Sequence, residues 1–248
     1  ILFKDSPYHS QRQYEKKVWI FPAHLAAYAT LLRNEGHDVS WFGNDDGKFD
    51  KTVESDLQIP INFEDLPFPD RVFTNAKNPK YLSYGNYKRR PGTHYLSSNL
   101  CWWGRCRFCV DTKRLEEGEH RGVRKVDHVL AEIENCIRLG FAEMFDDAGT
   151  LPIGDWLEDL CVGIIKNGFH KRMMFGANMK PIAEKVVPFK LMRASNFRFI
   201  LVGVESANQV TIDRIRKGQD SEKVIDNLKA MNDAGLEIHL TSMFGYSW

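Results

Sequence analysis

Apolar positions recur at helical spacing early in the chain. In HLAAYATLLRNEG, Leu25, Tyr28, Ala29 and Leu32 share one face, predicting a helix from about Ala23 to Glu35, with Gly36 as its stop. KKVWIF before it and HDVSWFG after it read as strands, so the chain opens on a short β-α-β pattern. Residues 44–92 are rich in Asp, Pro, Asn, Gly and Lys and hold few periodic stretches, which predicts a wrapping linker. From Thr93 the pattern alternates. Strands are predicted over 93–100, 141–146, 172–177, 197–204 and 236–244, with helices over 126–139, 153–167, 181–193, 209–216 and 221–234. Such alternation implies a parallel sheet with crossover helices. FRFILVGV is almost continuously apolar, as a strand covered on both faces should be. Five strands are too few for a closed barrel, and an exposed parallel edge is a liability. The sequence, which does not begin with Met and stops at Trp248 just after the fifth strand, is therefore expected to be truncated at both ends.

Composition narrows the class. The 248 residues are 43% hydrophobic and 27% charged, which excludes a disordered chain. A formal net charge of +1 excludes bulk charge as a device for capturing nucleic acid or acidic membrane. No apolar run reaches the roughly 18 residues that span a bilayer, and no secretory signal opens the chain. A cytoplasmic location and no membrane partner are expected.

Of five cysteines, Cys136 and Cys161 fall on apolar helical faces and read as small buried hydrophobes. The other three lie within nine residues, as Cys-x4-Cys-x2-Cys in SSNLCWWGRCRFCVD. A tight odd cluster is not a disulfide framework; it reads as metal ligands. Three thiolates suit a [4Fe–4S] cluster with one iron left open, or a zinc with a further ligand, for which His94 and His120 flank the region. In β/α barrels chemistry collects at the carboxyl ends of strands. Here the first strand leads to Cys101, Cys106 and Cys109, the second to Asp146 and Asp147, the third to Asn178, the fourth to Glu205 and Ser206, and the fifth toward Ser242 and Tyr246. Glu205 stands out, because a carboxylate after so apolar a strand needs a partner; capping the next helix, with Ser206, is its simpler alternative.

With these motifs the chain resembles the radical S-adenosylmethionine (SAM) superfamily, and in particular members with an N-terminal cobalamin-binding-type domain. The resemblance covers about Thr93 to Trp248, and residues 17–45 more weakly. It rests on the cysteine loop with Phe108 before the last cysteine, on FDD ending the second strand, on VGVESANQVTIDRIRKG and on the spacing of elements. The family's usual cysteine spacing is one residue shorter in the first gap, which puts the subfamily in doubt rather than the cluster.

The resemblance implies a partial TIM-like (β/α) barrel, truncated after about five strands, behind a Rossmann-like α/β segment. It divides the chain into a cobalamin-binding-type segment at 1–50, a linker at 51–92 and a radical SAM core at 93–248. It implies that Cys101, Cys106 and Cys109 hold a [4Fe–4S] cluster, and that SAM is cleaved reductively to a 5′-deoxyadenosyl radical that modifies a substrate. By the same resemblance Phe108 packs the adenine, Asp146 and Asp147 hold the methionyl amino group, and Glu205 accepts from the ribose hydroxyls. Ser206, Asn178 and the Arg216–Lys217 pair are candidates for the methionyl carboxylate. Trp102 and Trp103 would shield the cluster, while Arg105 and Arg107 would offset its charge. The expected partners are a small-molecule or peptide substrate and a flavodoxin- or ferredoxin-type electron donor.

Two alternatives stay open, a zinc-binding interaction module and a catalytically silent iron–sulfur homologue. Base-off cobalamin binding usually shows Asp-x-His-x-x-Gly, and no histidine here has an Asp two residues before it. Cobalamin thus lacks a ligand motif, and His24 and His37 read as structural or surface groups. Lys88, Arg89, Arg90, Lys113, Arg114, Arg121, Arg124 and Lys125 surround the cysteines, but Glu116, Glu117 and Glu119 interrupt them. They read as a solvated face rather than a nucleic-acid site.

Overall fold

The computed structural model describes residues 2–4, 21–41, 52–54, 62–82, 87–181 and 187–246. The strand expected over KKVWIF lies, but for Phe21, outside the described residues, as do residues 182–186 of the helix expected over 181–193.

The front of the chain is a small parallel sheet with one helix. Strands β1 (Leu2–Lys4), β2 (Ser40–Trp41) and β3 (Thr52–Glu54) pair in the order β2-β1-β3, and helix α1 (Ala23–Asn34) crosses between the first two. Both faces of α1 are covered. Ala23 and Ala26 enter the main core, while Leu25, Tyr28 and Leu32 form a second core with Val39 and Leu66. A helix buried on two sides should be apolar most of the way round, as AHLAAYATLL is.

The main body is a five-stranded sheet of β4 (Gly92–Tyr95), β5 (Glu143–Asp146), β6 (Met174–Met179), β7 (Phe197–Glu205) and β8 (Glu237–Ser242). The strands lie in chain order and all pair in parallel. It is an unclosed sheet, as expected for part of a TIM-like barrel. One line of register runs Tyr95, Asp146, Ala177, Ile200, Ile238, so the carboxyl ends of the strands share one rim.

Helices α4 (Val126–Arg138) and α5 (Asp155–Lys166) bury Val129, Ile133, Cys136 and Leu157, Leu160, Cys161 against this sheet. Both isolated cysteines are fully buried, as the helical pattern predicts. Helix α6 (Phe189–Ala194) precedes β7; α7 (Gln209–Arg214) and α8 (Ser221–Asp233) follow it. Asn208 caps α7 by accepting from the Thr211 amide, so the capping role weighed for Glu205 and Ser206 falls elsewhere.

Helix α3 (Val110–Glu116), directly after the third cysteine, was not expected, because VDTKRLE carries too few apolar positions for a helical period. Where it is described, the segment read as linker is anchored to the body. After the short helix α2 (Pro79–Leu82) the chain returns to β4, and Leu66, Ala76, Tyr81 and Tyr87 are buried. Its strongest tie is Arg71. The Arg71 guanidinium donates to Glu132 Oε1 at 2.6 Å, to the His94 carbonyl at 2.9 Å and to Thr93 Oγ1 at 3.2 Å. Arg124 binds the second Glu132 oxygen at 2.5 Å and the Leu96 carbonyl at 3.1 Å. Burial alone would raise the Glu132 pKa; Arg124 and Arg71 outweigh it and hold it below the usual carboxylate range. Arg124 therefore leaves the basic stretch, being 5% exposed and internally paired.

Candidate cofactor site

The loop after β4 delivers the cysteines to the rim. Cys101 and Cys109 are half-buried and Cys106 is buried. The loop closes on itself where the Cys109 amide donates to the Cys106 carbonyl at 3.1 Å, and α3 starts from Cys109. The buried Asp111 accepts from the Cys101 amide at 2.8 Å, so the first turn of α3 pulls the first cysteine toward the third. The three thiols lie close enough to act on one another: burial raises the Cys106 pKa, Lys217 and Lys180 oppose it, and Cys109 and Cys101 add to it. Burial likewise pushes the Cys109 thiol up.

A second structure grips the loop from the far strand. Three successive carbonyls after α7 accept from the cysteine side of the rim. Ile215 takes the Arg107 amide at 3.0 Å, Arg216 takes Trp103 Nε1 at 2.9 Å, and Lys217 takes Lys180 Nζ at 2.7 Å. Helix ends leave carbonyls unsatisfied, and here the neighbouring loop supplies the donors. The turn needs Arg216 at φ +55° and Gly218 at φ +62°. A Cβ on Gly218 would lie 1.9 Å from the Trp103 ring, so glycine is required there for contact as well as for backbone.

Glu205 is on the same rim. Between β7 and β8 the register slips, with Gly203 opposite Thr241 and Glu205 opposite Ser242, leaving Val204 as the extra residue. Such a bulge re-aims a side chain. Glu205 has φ +64°, strained for a residue with a side chain. Its Oε1 meets Lys217 Nζ at 3.1 Å, with both groups buried. A Cβ at Gly203 would sit 2.6 Å from that oxygen and 2.7 Å from that nitrogen, so the glycine of VGVES leaves room for the ion pair. Lys217 Nζ in turn lies 5.8 Å from the Phe108 ring centroid, and Phe108 is 43% exposed.

The two aspartates after β5 differ. Asp146 is fully buried, and its Oδ1 accepts from the amides of Ser97 at 3.0 Å and Ala148 at 3.1 Å. Asp147 keeps solvent-accessible surface; crowding by nearby protein atoms, then the neighbouring Asp146, push its pKa up to about 7. Asn178 Nδ2 donates to the Ala148 carbonyl at 2.9 Å and braces this loop. Ser206 is half-buried, with its hydroxyl accepting from the Asn208 amide at 3.1 Å. Arg105 and Arg107 are exposed, Arg105 stacking on Trp103 at 5.2 Å. Of the histidines offered as zinc ligands, His94 packs its ring against Tyr87 and Phe145, and burial and then Arg71 lower its pKa to about 3. His120 is exposed. Among the described residues no three His, Cys, Asp or Glu converge as ligands to a single ion.

Two residues at the site carried no signal in the sequence reading, Lys180 and Asp111. Lys180 follows Asn178 by two residues beyond a strand end, a position that could have drawn notice. Asp111 is set by helix α3, which the pattern did not show.

Residues 95–247, more than half of the chain, match the family model described as the radical SAM superfamily. The chain belongs to that superfamily. No curated protein matches it. Among solved structures it is similar to OxsB, a cobalamin-dependent S-adenosylmethionine radical enzyme with aqua-cobalamin bound, at a TM-score of 0.59 and 17% identity, covering 88% of this chain and 32% of that one. It is also similar to TsrM from Kitasatospora setae, a radical S-adenosylmethionine methyltransferase with cobalamin and a [4Fe–4S] cluster bound, at a TM-score of 0.51 and 17% identity, covering 61% and 31%. The chain thus spans about a third of the length of each. At such identity the likeness is one of fold. Among the described residues no helix is long and apolar enough to cross a membrane.

Proposed function

We propose that this chain carries the catalytic core of a radical SAM enzyme, with Cys101, Cys106 and Cys109 holding a [4Fe–4S] cluster. The observation that supports the reading is the shared rim: the cysteine loop follows β4, Asp146 ends β5 with Asp147 next, and the strained Glu205 ends β7, all at the carboxyl ends of one parallel sheet. The donor chemistry fits. Buried near the cysteines are Trp102 Nε1 and Thr112 Oγ1, both without partners, and sulfide-rich anions accept from such donors. The nearby cations Lys180 and Lys217 match a group that is negative overall.

When bound and reduced, the cluster supplies the electron that cleaves SAM to methionine and a 5′-deoxyadenosyl radical. The chain's own residues do the rest. Asp147, the exposed one of the pair, receives the methionyl amino group, while Asp146 holds the loop by its two amide bonds. Glu205, turned by the bulge and held by Lys217, accepts from the ribose hydroxyls. Phe108 covers the adenine, and Ser206 and Asn178 stand near the methionyl carboxylate. Trp102 and Trp103 keep water from the cysteines. In this reading the radical SAM core begins near residue 93, and residues 51–92 link it to a cobalamin-binding-type segment at 1–50. The fold likeness to OxsB supports that description of the front segment, without a histidine to ligate cobalt. The substrate is a small molecule or peptide, and the electron donor is of flavodoxin or ferredoxin type.

Anaerobic reconstitution tests this directly. The expected product is a brown protein with the cluster's full iron complement, which with dithionite and SAM yields 5′-deoxyadenosine; Cys106→Ala should lose the iron. A colourless protein holding stoichiometric zinc overturns the reading. Iron without SAM cleavage would identify a silent homologue.

A further inference from the structure

Lys180 is a buried cation to which the proposed function gives no contact with SAM or substrate. It is 7% exposed. Its ammonium is fixed on two sides, by the Lys217 carbonyl at 2.7 Å and by the face of Trp103, 3.7 Å from the ring centroid, with Trp102 at 5.5 Å. Lys217 differs, because its charge is met by Glu205. Among the described residues no carboxylate lies within ion-pair reach of Lys180. A buried ammonium without a counter-charge is costly. Burial lowers the Lys180 pKa, to about 8, and the negative charge of Cys106 and Cys101 opposes that shift. Its hydrogen bond is to a neutral carbonyl, so no bonded anion cancels its charge on the side of the cysteines. The rings of Trp102 and Trp103 cover that side, which limits screening.

We propose that Lys180 tunes the redox potential of the cluster, raising it by placing a fixed positive charge beside the cysteine cradle. The inference rests on the reading that Cys101, Cys106 and Cys109 hold a [4Fe–4S] cluster. Reduction adds one negative charge to the cluster, and a fixed cation favours the more negative state; net charge and solvent exposure are among the levers that set such potentials. Two features suit Lys180 to this role rather than to ligand binding. One of its three donors already has a protein acceptor, and the faces of Trp103 and Trp102 flank the ammonium. The carbonyl it binds belongs to the turn that grips the cysteine loop, so the charge keeps station with the ligands.

The test is an anaerobic redox titration, followed by the electron paramagnetic resonance signal of the reduced cluster, on wild type, K180M, K180Q and K180R. Gln keeps a donor for the Lys217 carbonyl without the charge, and Arg keeps the charge. The expected result is a more negative potential in K180M and K180Q, by about tenfold in the reduced-to-oxidised ratio, or about 59 mV for one electron, with K180R near wild type. Should K180M fail to fold, K180Q carries the comparison. A K180Q protein with full iron content and wild-type potential overturns the inference and leaves the proposed function standing. A wild-type protein that takes up no iron overturns the proposed function, and this inference with it.

Discussion

The molecule holds two buried clusters of the same composition, one glutamate and two cations each, and they are built to opposite ends. In the first, Glu132 gives one oxygen to Arg71 and the other to Arg124, and both guanidinium groups also reach backbone carbonyls of the strand β4 region. The carboxylate is fully used and the group is closed. In the second, Glu205 gives Oε1 to Lys217, while Lys180 takes only a carbonyl and a ring face. That group is open, its backbone is strained, and its surplus charge lies near Cys106 and Cys101. Closure marks a staple between segments, and openness marks a place prepared for something else.

The largest expected effect breaks the first cluster. Glu132→Ala leaves two buried arginines without a counter-charge, a defect that costs about 3–5 kcal/mol. Glu205→Gly also leaves a buried cation, Lys217, unpaired, but it releases the φ +64° strain, worth about 1–2 kcal/mol, so it should cost about 1–2 kcal/mol less than Glu132→Ala. Urea unfolding of the two variants compares them, and equal destabilisation would erase the distinction. The same contrast has a pH signature. The Glu132 pKa is held below its usual 4.5, so its contribution is complete above that value and is lost as pH falls through the lower folded pKa.

Next in size is Asp147, which sharpens the idea of an open rim. Its pKa of about 7 makes it half-charged near neutrality. If it receives an ammonium, SAM affinity measured by calorimetry should rise as pH climbs through 7, because the charged form binds. Asp147→Asn should flatten that rise and weaken binding about tenfold to a hundredfold, the range of a hydrogen bond to a charged group. An unchanged pH profile in the variant would move the amino group elsewhere.

The sheet was readable because its periods are long and apolar. FRFILVGV and the α4 and α5 faces each carry enough buried positions to set type and position, and their bounds agree with the pattern to within a few residues. Of the polar residues read at strand ends, Asp146, Glu205 and Ser242 are the last residues of β5, β7 and β8, and Asn178 is the last but one of β6. What stayed hidden has two causes. Short elements such as α3 and β3 offer no period to read. Long-range pairings leave no local trace either: Arg71 sits in a Pro- and Asp-rich stretch, yet it meets Glu132 61 residues on. Lys180 was missed for the same reason, since its partners, Trp103 and Lys217, are distant in sequence. Even the two adjacent aspartates look equivalent in FDD, and only the fold separates the buried anchor from the accessible acid.

The smallest effect on stability is expected at Gly203, where the open cluster can be disturbed without touching the frame. A methyl group there would crowd Glu205 Oε1 and Lys217 Nζ at 2.6 and 2.7 Å. Both atoms are the far ends of flexible side chains, so they can swing aside while the strand stays in place. Gly203 is not among the residues with positive φ, and replacing a strand glycine by alanine itself contributes about 0.5–1 kcal/mol in favour of folding. Gly203→Ala should therefore unfold within about 1 kcal/mol of wild type yet bind SAM several-fold more weakly, because the carboxylate that Lys217 holds has been moved. At the closed cluster the same displacement would register as lost stability. A Gly203→Ala protein that keeps wild-type SAM affinity would show that the position of the Glu205–Lys217 pair is immaterial, and would leave the bulge and its strain without a function.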